Sequence, residues 1–162
     1  MRKAVLVLCL VFLCAASSLA QKKNNSGWAC GKAVTANSID VGDKPNHSYT
    51  IAQFKCTATK GEFEGVKEKE GTATEFDEVT GDGVKGHGIF VDTLANGDKI
   101  TFAYQSTASM KDGEMQTGSN KWQATSGTGK FKDIKANGAC KATGSPDGGI
   151  VFDCSGTYTP PK

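Results

Sequence analysis

The stretch "CKATGSPDGGIVFDC", residues 140 to 154, reads as two short β-rich runs on either side of a turn rich in Gly and Pro. Folding it about Asp147 sets Cys140 opposite Cys154, because each lies seven positions from that centre. Directly opposed strand positions bring Cβ atoms to about 5 Å, within disulfide reach. The stretch therefore predicts an antiparallel hairpin stapled from Cys140 to Cys154.

A stapled hairpin implies an oxidising compartment, and the N-terminus agrees. Arg2 and Lys3 precede an apolar run from Ala4 to Ala16, and Ser18 and Ala20 stand three and one before Gln21. That is the pattern of a secretory signal peptide, residues 1–20, cleaved after Ala20. It predicts a secreted or periplasmic protein. The run is shorter than the roughly 20 residues of a spanning helix and no later stretch approaches it, so no integral membrane segment is expected after cleavage. Cys9 and Cys14 leave with the leader. Of the six cysteines, Cys30 and Cys56 then remain beside the hairpin pair. Four cysteines allow three connectivities, and the hairpin register leaves Cys30 with Cys56 by remainder.

Metal is not expected at these cysteines. Neither pair has C-x-x-C spacing, and His47 and His87 are close to none of the four. Losing Arg2 and Lys3 brings the 19 basic residues down to match the 17 acidic ones. A chain near zero net charge lacks the basic excess that a phosphate backbone demands, so nucleic acid is excluded as a partner. About 140 residues remain, enough for one domain. The reading is a flexible polar tail at 21–26, "QKKNNS", followed by one domain at 27–162.

Outward from the hairpin the pattern repeats. "KITFAYQST" puts Ile100, Phe102 and Tyr104 on one face against Lys99, Thr101, Ala103 and Gln105 on the other. Such alternation means one buried and one wet face. Turn dipeptides Asp82-Gly83, Asn96-Gly97, Asp112-Gly113 and Asn137-Gly138 punctuate the runs. Strands are predicted near 27–35, 48–59, 71–79, 84–94, 98–109, 114–125, 135–144 and 149–158. The charged segment around Lys67 to Glu70 is the one stretch with helix-friendly composition, and it is too short to stand as a helix alone. The fold class is all-β: a single eight-stranded antiparallel barrel, mostly up-and-down, which removes the free edges that invite aggregation. A two-sheet sandwich is the alternative.

Just before the hairpin stands "SGTGKFKDIKANG", residues 126–138. Its Gly127-Thr128-Gly129-Lys130 suggests a phosphate-cradling loop, but the motif needs Gly five before Gly129 and Ser or Thr after Lys130, where Ala124 and Phe131 stand. Nucleotide binding is rejected on that ground. A crossover turn fits better, with Phe131 and Ile134 as apolar plugs on one side of a single helical turn and Lys130 and Lys132 in solvent. Gly127, Thr128, Gly129, Lys130 and Phe131 resemble the G-G-T-G-x-F segment of dirigent proteins, with similar turns in the allene oxide cyclases of the same calycin-like barrel group. Ser126 departs from the first Gly, and Lys132 stands where Arg is usual. The resemblance covers about a dozen residues. It implies an eight-stranded barrel that holds hydrophobic substrates and steers their coupling or cyclisation without a cofactor.

Candidate cavity-lining residues are the apolar and aromatic ones on strand faces: Tyr49, Ile100, Phe102, Tyr104, Trp122 and Phe152. His87, between Gly86 and Gly88, is the one histidine placed to project into a cavity. No G-x-S-x-G elbow and no calcium-loop spacing occurs, so no catalytic residue is assigned and no metal or cofactor is expected. The leading reading is a non-enzymatic barrel whose partner is a small apolar ligand. Alternatives are a cofactor-free cyclase, isomerase or dirigent-like coupling protein, and a secreted protein inhibitor. A buried acid facing an open cavity beside Tyr104 and Trp122 favours the enzyme, an apolar cavity favours binding, and a filled interior removes both. Asn24 and Asn46 fit the glycosylation pattern.

Overall fold

The computed structural model describes residues 21–160. The leader falls outside them. Ten strands form in chain order: β1 Lys22–Cys30, β2 Thr35–Asp40, β3 His47–Lys60, β4 Glu62–Phe63, β5 Val66–Thr80, β6 Gly83–Leu94, β7 Lys99–Lys111, β8 Glu114–Gly127, β9 Lys135–Gly144 and β10 Ile150–Thr159. Eight of them close a barrel in the order β1, β3, β5, β6, β7, β8, β9, β10, all antiparallel, with β10 returning to β1. The two remaining strands are additions. β2 runs on from β1 along the same edge of β3, and β4 makes a short hairpin with β5.

The hairpin that opened the sequence reading folds about Asp147 as expected. Cys140 pairs with Cys154 across β9 and β10, and Cys30 pairs with Cys56 across β1 and β3. Both pairs are disulfides. All four cysteines occupy inward positions, buried in one cluster with Trp28. The staples therefore lie inside the barrel wall, as packing as well as covalent links.

Period-two patterning sets the interior. On β7, Ile100, Phe102 and Tyr104 are buried while Lys99, Gln105 and Thr107 are exposed. One end of the barrel is filled by Phe63, Leu94, Ile100, Phe131, Ile134 and Tyr158. Phe131 belongs to a 3-10 turn, Gly129–Phe131, and is fully buried, while Lys130 and Lys132 are exposed. Gly129 has a φ of 49°, a conformation other residues adopt at a cost. Any side chain there would also collide with Asp98.

Two expectations need correction. The polar "QKKNNS" segment does not fray: Lys22 to Ser26 pair residue by residue with β10, from Tyr158 to Cys154, and Asn24 and Ser26 point inward. Burial also removes Asn24 from any glycosylation machinery acting on the folded barrel. The charged segment from Lys67 to Glu70, too short for a helix as read, is strand interrupted by a register shift between Glu68 and Glu70. Asn137-Gly138 is no turn but sits within β9, opposite Thr157 and Gly156. Gly138 is required there because the Trp122 ring packs where its side chain would be.

Candidate functional site

The interior between the plugged end and the opposite mouth encloses a cavity of about 130 Å³. It opens toward the end carrying the β5–β6 and β7–β8 turns, where Val84, Ala108 and Met115 form its rim. Aromatic faces from separate strands line it. Trp28 of β1 meets Phe90 of β6 edge-on, centroids 4.7 Å apart, and Phe102 of β7 meets Trp122 of β8 edge-on at 5.3 Å. Both disulfides contribute to the wall. The barrel supplies these contacts because inward positions of eight strands converge on one axis.

Of the six residues expected to line a cavity, Phe102, Tyr104, Trp122 and Phe152 do so. Ile100 is buried one layer deeper, in the plug. Tyr49 points the other way. It occupies an outward position on β3, is 40% exposed and stacks on Phe76 at 5.6 Å. His87 is likewise outward and exposed, its ring 5.6 Å from Phe76. His47 is buried at the start of β3, bridging Asp43 at 2.5 Å and Glu78 at 3.1 Å, which pins the β2–β3 link. Among the described residues no three His, Cys, Asp or Glu side chains are grouped to hold a metal ion.

The cavity is neither filled nor apolar throughout. At the mouth, Glu75 and Tyr104 face into it, and Asp77 converges with Ser106 over the bare backbone of Gly86. Burial, followed by the neighbouring Glu75, holds the Asp77 carboxyl well above the usual carboxylate range. Burial and then Glu75 also push the Tyr104 hydroxyl upward. At the floor, Asn24 and Glu68 line the cavity with Asp92 behind them, fully buried. Burial raises Glu68 to about 9, with Asp92 adding to it, and raises Asp92 to about 7. Sequence reading missed these carboxylates because each stands in an ordinary alternating run. The signal was parity: Glu75 and Asp77 share the inward face of β5, and Asp92 shares that of β6 with Phe90.

No protein-family model matches the chain, and no curated protein matches it in sequence. Solved structures do. Two pterocarpan synthase dirigent proteins superpose with a TM-score of 0.51 each, at 11% and 12% identity, over 88% of this chain and 97% and 89% of theirs. At such identities the likeness concerns the fold. The chain thus has the closed eight-stranded barrel seen in dirigent proteins, as the glycine turn before β9 implied.

Proposed function

We propose that this protein is an exported barrel that binds one small, largely apolar molecule, best an aromatic ring, in its central cavity. The supporting observation is the cavity itself: about 130 Å³, close to the roughly 150 Å³ of an apolar cavity known to take benzene. Drug-sized ligands need about 300 Å³ or more, so a single ring is the matching size. Export is supported by two disulfides in the folded chain and by the leader pattern. N-terminal sequencing of the exported protein is expected to begin at Gln21.

Binding is tested by titrating benzyl alcohol and toluene while following the Trp28 and Trp122 indole signals. Saturable shifts are expected, lost in Ala142→Leu, which fills the interior, and in Ala108→Leu, which narrows the rim. Absence of saturable binding, or binding indifferent to both substitutions, sinks the reading.

A second reading follows from Glu75 and Asp77 beside Tyr104. Burial favours the protonated form of the Asp77 carboxyl, and such an acid beside a largely apolar cavity can pass a proton to a bound substrate, as a cofactor-free cyclisation protein requires. The similarity to pterocarpan synthase dirigent proteins makes phenolic substrates the first choice. Product mixtures from phenolics incubated with an added one-electron oxidant, which removes the electrons that coupling releases, should differ between the wild type and Asp77→Asn; identical mixtures dispose of the idea.

A further inference from the structure

The cavity holds acids without bases. Among the described residues its wall contains Glu68 and Glu75 and no Lys, Arg or His, with Asp77 and Asp92 also buried. Aromatic faces make up much of the rest, and such faces attract cations. The floor adds a more specific feature. Asn24 Oδ1, Glu68 Oε2 and both carboxylate oxygens of Asp92 are buried with no hydrogen-bond donor among the described residues. These side chains are 3%, 9% and 0% exposed. The Asn24 amide already donates to the Glu62 carbonyl at 3.1 Å, so its oxygen is left facing the other way. A buried acceptor without a donor is costly; burial favours the protonated forms of Glu68 and Asp92 in the empty cavity, whereas a cation beside them favours the ionised forms, in which every orphan at this floor is an acceptor.

We infer that the cavity's ligand carries a protonated amine, whose N–H groups reach Asn24 and Glu68 at the floor while its ring packs against Trp28, Phe90 and Phe102. The inference rests on the binding role proposed above and names the ligand's charge. An ammonium presents three donors and no acceptor, the complement of this floor. Entry runs past Glu75 at the mouth, with no basic side chain among the described residues of the cavity wall to oppose a cation. The cleft on the far side of Asn24 and Glu68 carries Lys23, Lys60 and Lys67 beside Glu62, so the base-free mouth is the easier way in for a cation.

The test compares three single-ring probes of similar size: benzylammonium, benzyl alcohol and benzoate, titrated calorimetrically at neutral pH against the disulfide-bonded protein. Benzylammonium is expected to bind about tenfold more tightly than benzyl alcohol, and benzoate not at all. Glu68→Gln should bring the amine-to-alcohol affinity ratio down to near one, and Asp92→Asn should lower it in the same direction, which covers the case where one variant does not fold. Equal or tighter binding of the alcohol, binding of benzoate, a ratio untouched in both variants, or calcium displacing the amine overturns the inference while leaving the binding role standing. If no ring binds, charged or neutral, both fall.

Discussion

The backbone N–H of Lys130 donates to the Asp98 carboxylate at 3.2 Å, so the turn that looks in sequence like a phosphate cradle already holds an anion, supplied by the chain itself. Asn96 reinforces it: its side-chain amide donates to Asp98 at 2.8 Å, and its oxygen accepts from the Asp98 backbone at 3.0 Å. Asp98→Ala is expected to cost about 1.5–3 kcal/mol in denaturant unfolding, the usual size for a hydrogen bond to a charged group. Asp98→Asn should recover part of that loss. No change in the midpoint for Asp98→Ala would show the carboxylate to be incidental.

The two staples differ in the loop they close. Cys140–Cys154 spans 14 positions and Cys30–Cys56 spans 26, so restricting the unfolded chain stabilises by about 3 and 3.5 kcal/mol respectively. Replacing either pair by alanines should lower stability by at least that much, because the sulfurs also fill the cavity wall. Non-reducing peptide mapping must recover only these two linkages.

Stability should fall as pH rises from 5 to 8.5. Glu68 and Asp92 have folded-state values of about 9 and 7 against ordinary values of 4.5 and 3.8, so the folded chain keeps a proton that the unfolded chain has lost on Glu68 across that window and on Asp92 up to about pH 7. Each such group contributes a slope of about 1.4 kcal/mol per pH unit while only the folded state is protonated. Below about pH 3 both states are protonated and the dependence ends. Denaturation in urea at pH 5 and 8.5 checks the sign, and Asp92→Asn should flatten the curve; greater stability at pH 8.5 would falsify the assignment.

Gly138→Ala should destabilise by about 1–3 kcal/mol, the range for overfilling a packed site. The added methyl meets both the Trp122 ring and the Ser155 carbonyl of β10. Trp122 fluorescence in the folded variant should shift as the indole is displaced from its cleft.

Most of the barrel is legible in local pattern. Cys140 and Cys154 sit symmetrically about a turn, and Phe102 and Tyr104 alternate with polar neighbours, so pairing and facing follow from counting. What counting misses depends on distant partners. Asn24 and Ser26 look like a soluble tail and become strand only because β10, at the other end of the sequence, offers them an edge. Tyr49 looks as suitable a wall residue as Phe102, but its odd position on β3 sends it outside while Cys56 and Phe54 go in. The carboxylates of the cavity are invisible for the opposite reason. An acid in an alternating strand normally marks the wet face, and only closure of the barrel turns the faces of Glu68 and Asp92 inward.

The seam between β1 and β10 also bears on how the chain folds. Ser26 faces Cys154 there, so the earliest and latest strands of the described fold must meet before the ring exists. Contacts between such distant segments slow folding, because the closing loop surrenders its entropy before the pairing rewards it. A nascent chain emerging from a ribosome or a translocation pore can complete the β5 to β8 meander early, but it must hold β1 in waiting until β10 emerges. The kinetics should therefore show a fast meander phase followed by a slow closure step, and partial chains ending before β10 should remain open, with the edges of β9 and β1 both exposed.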